Sequence, residues 1–526
     1  MMGYLALVLH WHLPYVRHPE HPRFLEEYWF FEALSETYIP LMSVFERLHS
    51  EGIHYRITLS ISPTLAEMLR DELLQNRYLA YLERICELAR LEIQRTQGQP
   101  QMNRLARMYL ERYLMCRRIF RDDYRCNLLN GLIRLDRAGV VDLICSAATH
   151  CFLPLFEVVP QVVKAQVQVA VHSHVRNFGG YPKGFWLPEC GYYPGVEEYL
   201  KEERLPYFFM ETHGILYAQE RPRYGVYAPL YCPNMVAAFG RDPESARSVW
   251  SARDGYPGDP VYRDFYRDIG YDLPLEYLKP FLPEEEVRMS TGIKYHAITG
   301  PGDQKRLYNP KAAVKKLLEH ADHFVSARID QSVRLSALMD QPPLIVCPFD
   351  AELFGHWWFE GPQWLEAVLR RMGEVADTLR LTTPGQYLSE HPEQQFAQPS
   401  FSSWGNKGYA EVWLEGSNDW VYRHLHQQAE RMCELVQRFP KERGMRKRAL
   451  DQAFREMLLA EASDWAFIMK TGTTVPYALR RTKEHIYNFS RIYDGLMTGG
   501  LQQEWFLQVE SRNNLFREID YRLCVA

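Results

Sequence analysis

The sequence predicts an α/β protein built on a barrel of parallel strands, and two observations carry that reading. Six short apolar runs, at 4–9, 55–59, 140–147, 184–187, 207–210 and 344–347, are continuous rather than alternating. Strands buried on both faces read this way. Each run then ends on polar chemistry: His10 and His12, Ser60, His150, Glu189, Glu211 with His213, and Asp350. Reactive groups gathered past the carboxyl ends of parallel strands mark the open face of an α/β barrel. A doubly wound sheet collects ligands at the same ends and stays open as the alternative.

The remaining elements follow in chain order. The start, MMGYLALVLHWHLP, has no basic leading segment, and its apolar run breaks at His10. It reads as a first strand rather than a signal peptide. Residues 65–137, rich in Leu, Arg and Glu at helical spacing, are too long for a simple crossover and predict a helical insertion. Its arginines read as a solvated helix face. Residues 221–272 are dense in Pro, Gly and Tyr and predict a long irregular loop, which in a compact domain is more often functional than idle. The polar stretch HPEQQFAQPS at 391–400 marks a boundary. Beyond it, 419–439, 448–469 and 479–497 predict long helices. The expected organisation is therefore a catalytic unit over 1–390 and a C-terminal helical domain over 391–526.

Composition narrows the function. With 526 residues, 46% of them hydrophobic, the chain can bury a large core, and a formal net charge of −5 leaves no basic footprint for nucleic acid. No run of 18 or more apolar residues offers a membrane span. The ten cysteines contain no CxxC pair, as expected of reduced thiols in a cytoplasmic protein. Aromatic residues reach 13%, including 12 Trp and 33 Tyr, which suits both a core and flat sugar rings.

Four constellations could carry chemistry. In HWHLP at 10–14, the i, i+2 spacing on a strand points both imidazoles to one side. That serves a metal, with a later acidic ligand such as Asp350, or a sugar; two structurally satisfied histidines would look the same. A second pair, His172 and His174, lies in a helical context without an acidic partner and reads as structural. In GFWLPECGY at 184–192, an apolar strand delivers Glu189 beside Trp and Pro, which limit its hydration and can tune it. A buried ion pair would look similar. In PFDAELFGHWWFEGP at 348–362, three acids, a His and two Trp crowd eleven positions after a strand. Two carboxylates flanked by Trp fit glycosidic cleavage, one attacking the anomeric carbon and one protonating the leaving oxygen. Finally, Ser403-Trp404-Gly405, Trp413, Asn418-Asp419-Trp420 and Ser463-Asp464-Trp465 set Trp beside small or polar residues, as stacking platforms do.

With these motifs in view, the chain resembles glycoside hydrolase family 57, and within it the 1,4-α-glucan branching enzymes. The resemblance runs over nearly the whole sequence, through HWHLP, THCFLP at 149–154, FWLPE, FDAELFGHWW, SSWG at 402–405 and SDW at 463–465. It implies a distorted (β/α)7 barrel with a helical insertion, a C-terminal helical domain that walls the active site, and a retaining mechanism with no metal and no cofactor. Carried over, it implies Glu189 as nucleophile and Asp350 as general acid/base. His10, His12, His150 and His356 would line the sugar site, with Trp29 a further contact and Trp404, Trp413, Asp464 and Trp465 supplied from the C-terminal domain. The implied reaction cuts an α-1,4 link and transfers the segment to a 6-hydroxyl, as in glycogen synthesis. α-Amylase and 4-α-glucanotransferase activities use the same carboxylates and stay open. So do a metal-dependent amidohydrolase or deacetylase and a non-catalytic glucan-binding protein. Branching enzymes of the family shield the intermediate with a Tyr-bearing loop, and Tyr224, Tyr227 and Tyr231 are the candidates for that part. The expected partner is α-1,4-glucan, amylose or glycogen, with no nucleic acid and no membrane, and a monomer is expected.

Overall fold

The computed structural model describes residues 3–524 apart from 252–254, 285, 301 and 303. Ten strands form one curled sheet: β1 (Gly3–Trp11), β2 (Ile57–Ile61), β3 (Val141–Ser146), β4 (Phe185–Trp186), β5 (Tyr207–Met210), β6 (Leu230–Tyr231), β7 (Ala237–Gly240), β8 (Leu344–Asp350), β9 (Leu379–Leu381) and β10 (Gln395–Phe396). Seven of them run parallel in the order β7-β5-β4-β3-β2-β1-β8. Among the described residues β7 and β8 share no ladder. Two backbone bonds span the gap instead, Asp242 N–H to Val346 O and Leu344 N–H to Tyr227 O, each 2.9 Å. This is a distorted (β/α)7 barrel.

Strand parity explains both the core and the mouth. Tyr4, Ala6 and Val8 of β1 pack inward with Trp186, Phe209, Phe239, Leu344 and Val346. Leu5, Leu7 and Leu9 face the surrounding helices. Alternate Cβ atoms point to opposite faces, so His10 continues the inward series at the carboxyl end. Register then sets His10 level with Ser60 of β2 and Asp350 of β8.

The predicted helical insertion is present as helices Pro63–Arg70, Glu72–Arg95, Pro100–Arg118 and Leu129–Arg137. Ser62 and Asp71 cap the first two by accepting from Leu65 N–H and Leu74 N–H. The expected irregular loop at 221–272 is not irregular throughout. It contains the antiparallel pair β6–β7, the latter a barrel strand, and the helix Pro243–Trp250. After residue 391 the chain still adds β10 to the sheet and bridges Ser402 to Tyr192, before five helices from Tyr422–Arg438 to Gln503–Arg512. No helix among the described residues is long and apolar enough to cross a membrane.

The loop after β8 is held by close backbone contact at Gly355, whose φ is +115°; a Cβ there would lie 1.9 Å from the carbonyl oxygen of Glu36. Neither backbone can yield cheaply. Gly355→Ala is expected to destabilise the fold by about 3 kcal/mol, read as a lowered urea midpoint at unchanged m-value.

Candidate active site

Three imidazoles and an indole stack at the barrel mouth. His10 lies over Trp186 at 4.5 Å between centroids, and His12 lies over His150 at 3.7 Å. His10 Nε2 and His150 Nε2 are 2.9 Å apart, and their outer nitrogens reach Ser60 Oγ and Ser463 Oγ, both at 2.9 Å. Burial, then the charge of His12, holds the pKa of His10 and of His150 well below the ordinary imidazole value. Burial also opposes a proton on His12, but Asp464, 3.2 Å from its Nε2, outweighs that and raises its pKa. Of the three rings, His12 is therefore the one that favours a proton. The Nδ1 of His12 is buried without a protein partner, a donor free for a ligand hydroxyl.

Glu189 follows β4 in the tight turn Pro188–Cys190, with φ of 60° at Glu189 and 49° at Cys190. Two successive left-handed residues cost on the order of 1–2 kcal/mol each, strain that collects at functional sites. The turn aims the carboxylate across to the C-terminal region. Its Oε2 accepts from Trp404 Nε1–H at 2.7 Å and its Oε1 from Ser463 Oγ–H at 2.8 Å. Burial lifts its pKa to about 6, against the pull of those two donors.

Asp350 ends β8. Burial, then the negative charges of Glu352 and Glu189, holds its pKa well above the ordinary carboxyl range. Glu352 is lifted to about 7 by burial, while Tyr38 donates its hydroxyl to it. Arg241, next after β7, donates to Glu211 at 3.2 Å and lies over the Trp404 ring. Glu189 and Asp350 line one cavity of about 510 Å³ with His10, His12, His150, Trp404, Trp413 and Asp464. Here two carboxyl groups, both lifted by burial above their ordinary range, share one cavity. Paired carboxyl groups tuned by different surroundings are what acid/base and nucleophilic work on one substrate needs. Trp404→Phe keeps the ring but removes one donor from Glu189. It is expected to move the acid limb of the kcat/KM profile to higher pH and to lower kcat/KM about ten- to hundred-fold.

Eight of the eleven residues expected at the site thus line one cavity, and three lie outside it. Trp29 packs edge-on to Tyr477, Trp465 is buried and donates to Leu459 O, and His356 bonds Glu36 at 2.6 Å behind the β8 loop. The candidate gate tyrosines also lie away from the cavity. Tyr224 donates to Asp340, Tyr227 accepts from Gln331, and Tyr231 packs on Phe396. The cavity adds Arg241, Trp250 and Phe467, which sequence reasoning passed over, and Glu352 and Gly405, which it placed in motifs without a role. Trp250 closes the helix that follows β7, so recognising that strand would have found both it and Arg241.

His10, His12 and His150 are also the described side chains whose ligand atoms, within 4.8 Å of one another, could hold a cation. Asp350, the acidic ligand of the metal-dependent alternative, is not in that group. Activity is expected to survive prolonged incubation with a chelator, and its loss, restored by zinc, would contradict the carboxylate reading.

A family model described as "Glycosyl hydrolase family 57" matches residues 6–400, and one described as "1,4-alpha-glucan branching enzyme, C-terminal" matches 424–523. The chain is 34% identical to the 1,4-alpha-glucan branching enzyme TK1436 of Thermococcus kodakarensis, over 99% of this chain and 78% of the relative. Among solved structures, the alpha-amylase AmyC of Thermotoga maritima is 43% identical with a TM-score of 0.93, covering 100% of this chain and 99% of that one. The GH57-type branching enzyme of Pyrococcus horikoshii is 30% identical with a TM-score of 0.90, covering 100% and 97%. Barrel and C-terminal helices are matched alike, and the chain belongs to glycosyl hydrolase family 57.

Proposed function

We propose that this protein is a retaining 1,4-α-glucan branching enzyme. One observation carries the chemistry: a carboxylate fixed by two donors, Glu189, shares a cavity with a second acid, Asp350, which has burial and two neighbouring negative charges to favour its protonated form. Glu189 attacks C1 of an α-1,4-linked glucose while Asp350 protonates the departing oxygen, giving a glycosyl-enzyme. Asp350, now a base, takes the proton of an incoming 6-hydroxyl, which attacks C1 and releases Glu189. An α-1,6 branch results. His12 Nδ1–H and Arg241 Nε–H, which have no protein acceptor, are the donors for sugar hydroxyls, and Trp404 and Trp413 are the faces for sugar rings.

Residues 1–390 supply the carboxylates in this reading, and 391–526 supply Trp404, Trp413, Ser463 and Asp464. The substrate is amylose or glycogen, the chain acts as a monomer, and its ten free cysteines suit the cytoplasm.

The branching match over 424–523 and the curated branching relative support transfer to a 6-hydroxyl. Hydrolysis is the second reading, favoured by the 43% identity to a protein titled an α-amylase and by tyrosines that point away from the cavity. Products formed from amylose decide between them. New α-1,6 linkages without matching reducing ends support branching; reducing ends alone make the enzyme an amylase.

A further inference from the structure

One chain of hydrogen bonds runs from the base of the histidine stack to Glu189. Ser60 Oγ meets His10 Nδ1 at 2.9 Å, His10 Nε2 meets His150 Nε2 at 2.9 Å, His150 Nδ1 meets Ser463 Oγ at 2.9 Å, and Ser463 Oγ meets Glu189 Oε1 at 2.8 Å. Donor counting fixes its direction. An ionised carboxylate only accepts, so Ser463 gives Glu189 its single hydroxyl proton. The Ser463 oxygen then accepts from His150 Nδ1–H. A neutral His150 has only a lone pair left at Nε2, so His10 donates from Nε2–H. Neutral His10 is bare at Nδ1, and Ser60 donates to it. Both rings are kept neutral by burial and by cationic His12 stacked alongside.

We propose that Ser60, buried at the end of β2, is a positioning residue that tunes Glu189 through this directed relay. Every donor points toward the carboxylate, so each bond polarises the next and favours the charged form of Glu189. The relay holds the nucleophile ionised and eases its departure when the glycosyl-enzyme breaks down. The other charged or titratable groups around Glu189 are His12 just past β1, His150, Cys190, Asp350 at the end of β8 and Asp464 on the helix Ser463–Thr471, with Arg241 and Glu352 lining the same cavity. None of them contacts Ser60 in the chain just traced, so a change at Ser60 reaches Glu189 through the histidines.

The inference rests on Glu189 being the nucleophile, and two measurements separate it from that premise. Ser60→Ala is expected to raise the acid limb of the kcat/KM profile by on the order of half a unit, roughly a three-fold loss on that limb. Ser60→Thr, which keeps the hydroxyl, is expected to restore it. An acid limb that stays in place, even with a lower rate at every pH, assigns Ser60 a structural role and overturns the proposal. The second measurement needs no turnover: 15N spectra of the histidine-labelled resting enzyme. They are expected to show His10 protonated at Nε2 and His150 at Nδ1, and the opposite tautomers overturn the relay even if Ser60→Ala does not fold. Should Glu189→Gln stay active, the premise fails while the tautomers stand.

Discussion

Glu189→Gln is expected to lower both transfer and hydrolysis on amylose by about 10⁴-fold or more, the scale on which removing a nucleophile acts. The substitution is close to silent for the fold. The Gln oxygen still accepts from Trp404, and its NH₂ donates to Ser463 Oγ, which rotates to accept, so the two anchors of the turn survive. Melting temperature is the control and is expected to stay within a degree or two. A leaving group that needs no acid, as in an α-maltosyl fluoride, is expected to give no recovery, because the missing step is attack at C1. A variant that processes amylose at more than a few per cent of the wild-type rate would remove Glu189 from the mechanism.

Asp350→Asn has a different expected signature. On amylose kcat/KM should fall by about 10²–10⁴-fold, the usual share of a general acid. On α-maltosyl fluoride the first step should recover most of that loss, since fluoride leaves without a proton. Deglycosylation then limits, because no base activates the acceptor. Added azide, which needs no base, should accelerate turnover and give an α-glycosyl azide. The basic limb of the pH profile should also vanish. In the wild type that limb marks loss of the Asp350 proton, which burial and the charges of Glu352 and Glu189 hold well above the usual carboxyl range. The expected signs are opposite: ionising Glu189, whose pKa burial lifts to about 6, favours attack, whereas losing the Asp350 proton removes the acid. Wild-type turnover of amylose by Asp350→Asn would exclude it as the acid.

Six of the parallel barrel strands are legible because each falls in a continuous apolar run that leads to a polar residue at the mouth. β7 is not, since Ala237–Gly240 is mostly small residues set in a stretch whose Pro, Gly and Tyr content reads as loop, and its pairing with β5 is what makes it a strand. With β7 unseen, Arg241 and Trp250 have no place at a strand end, and the stretch reads as loop. The carboxylates and the imidazoles are legible from parity and motif. Their partners are not: Ser463 lies 274 positions from Glu189, and Ser60 is 50 from His10. Aromatic residues mislead in the other direction. Trp29 and Trp465 carry the composition of a sugar platform, but their helices turn them toward Tyr477. Tyr224 is held by Asp340, Tyr227 by Gln331 and Tyr231 by Phe396, so none of the three tyrosines lines the cavity.

The anchoring of Glu189 by Trp404 and Ser463 has a consequence for the order in which the molecule becomes an enzyme. All seven barrel strands leave the ribosome before residue 404, so the nucleophile and the acid can be in place with neither donor yet made. In that interval Glu189 is a strained carboxyl turned into an unfinished cleft, without the bonds that favour its charge. Helix Ser463–Thr471 then arrives with a donor for Glu189 and an anion for His12 in adjacent residues. On the proposed mechanism, a chain whose barrel is complete is expected to stay inactive until this one helical turn docks.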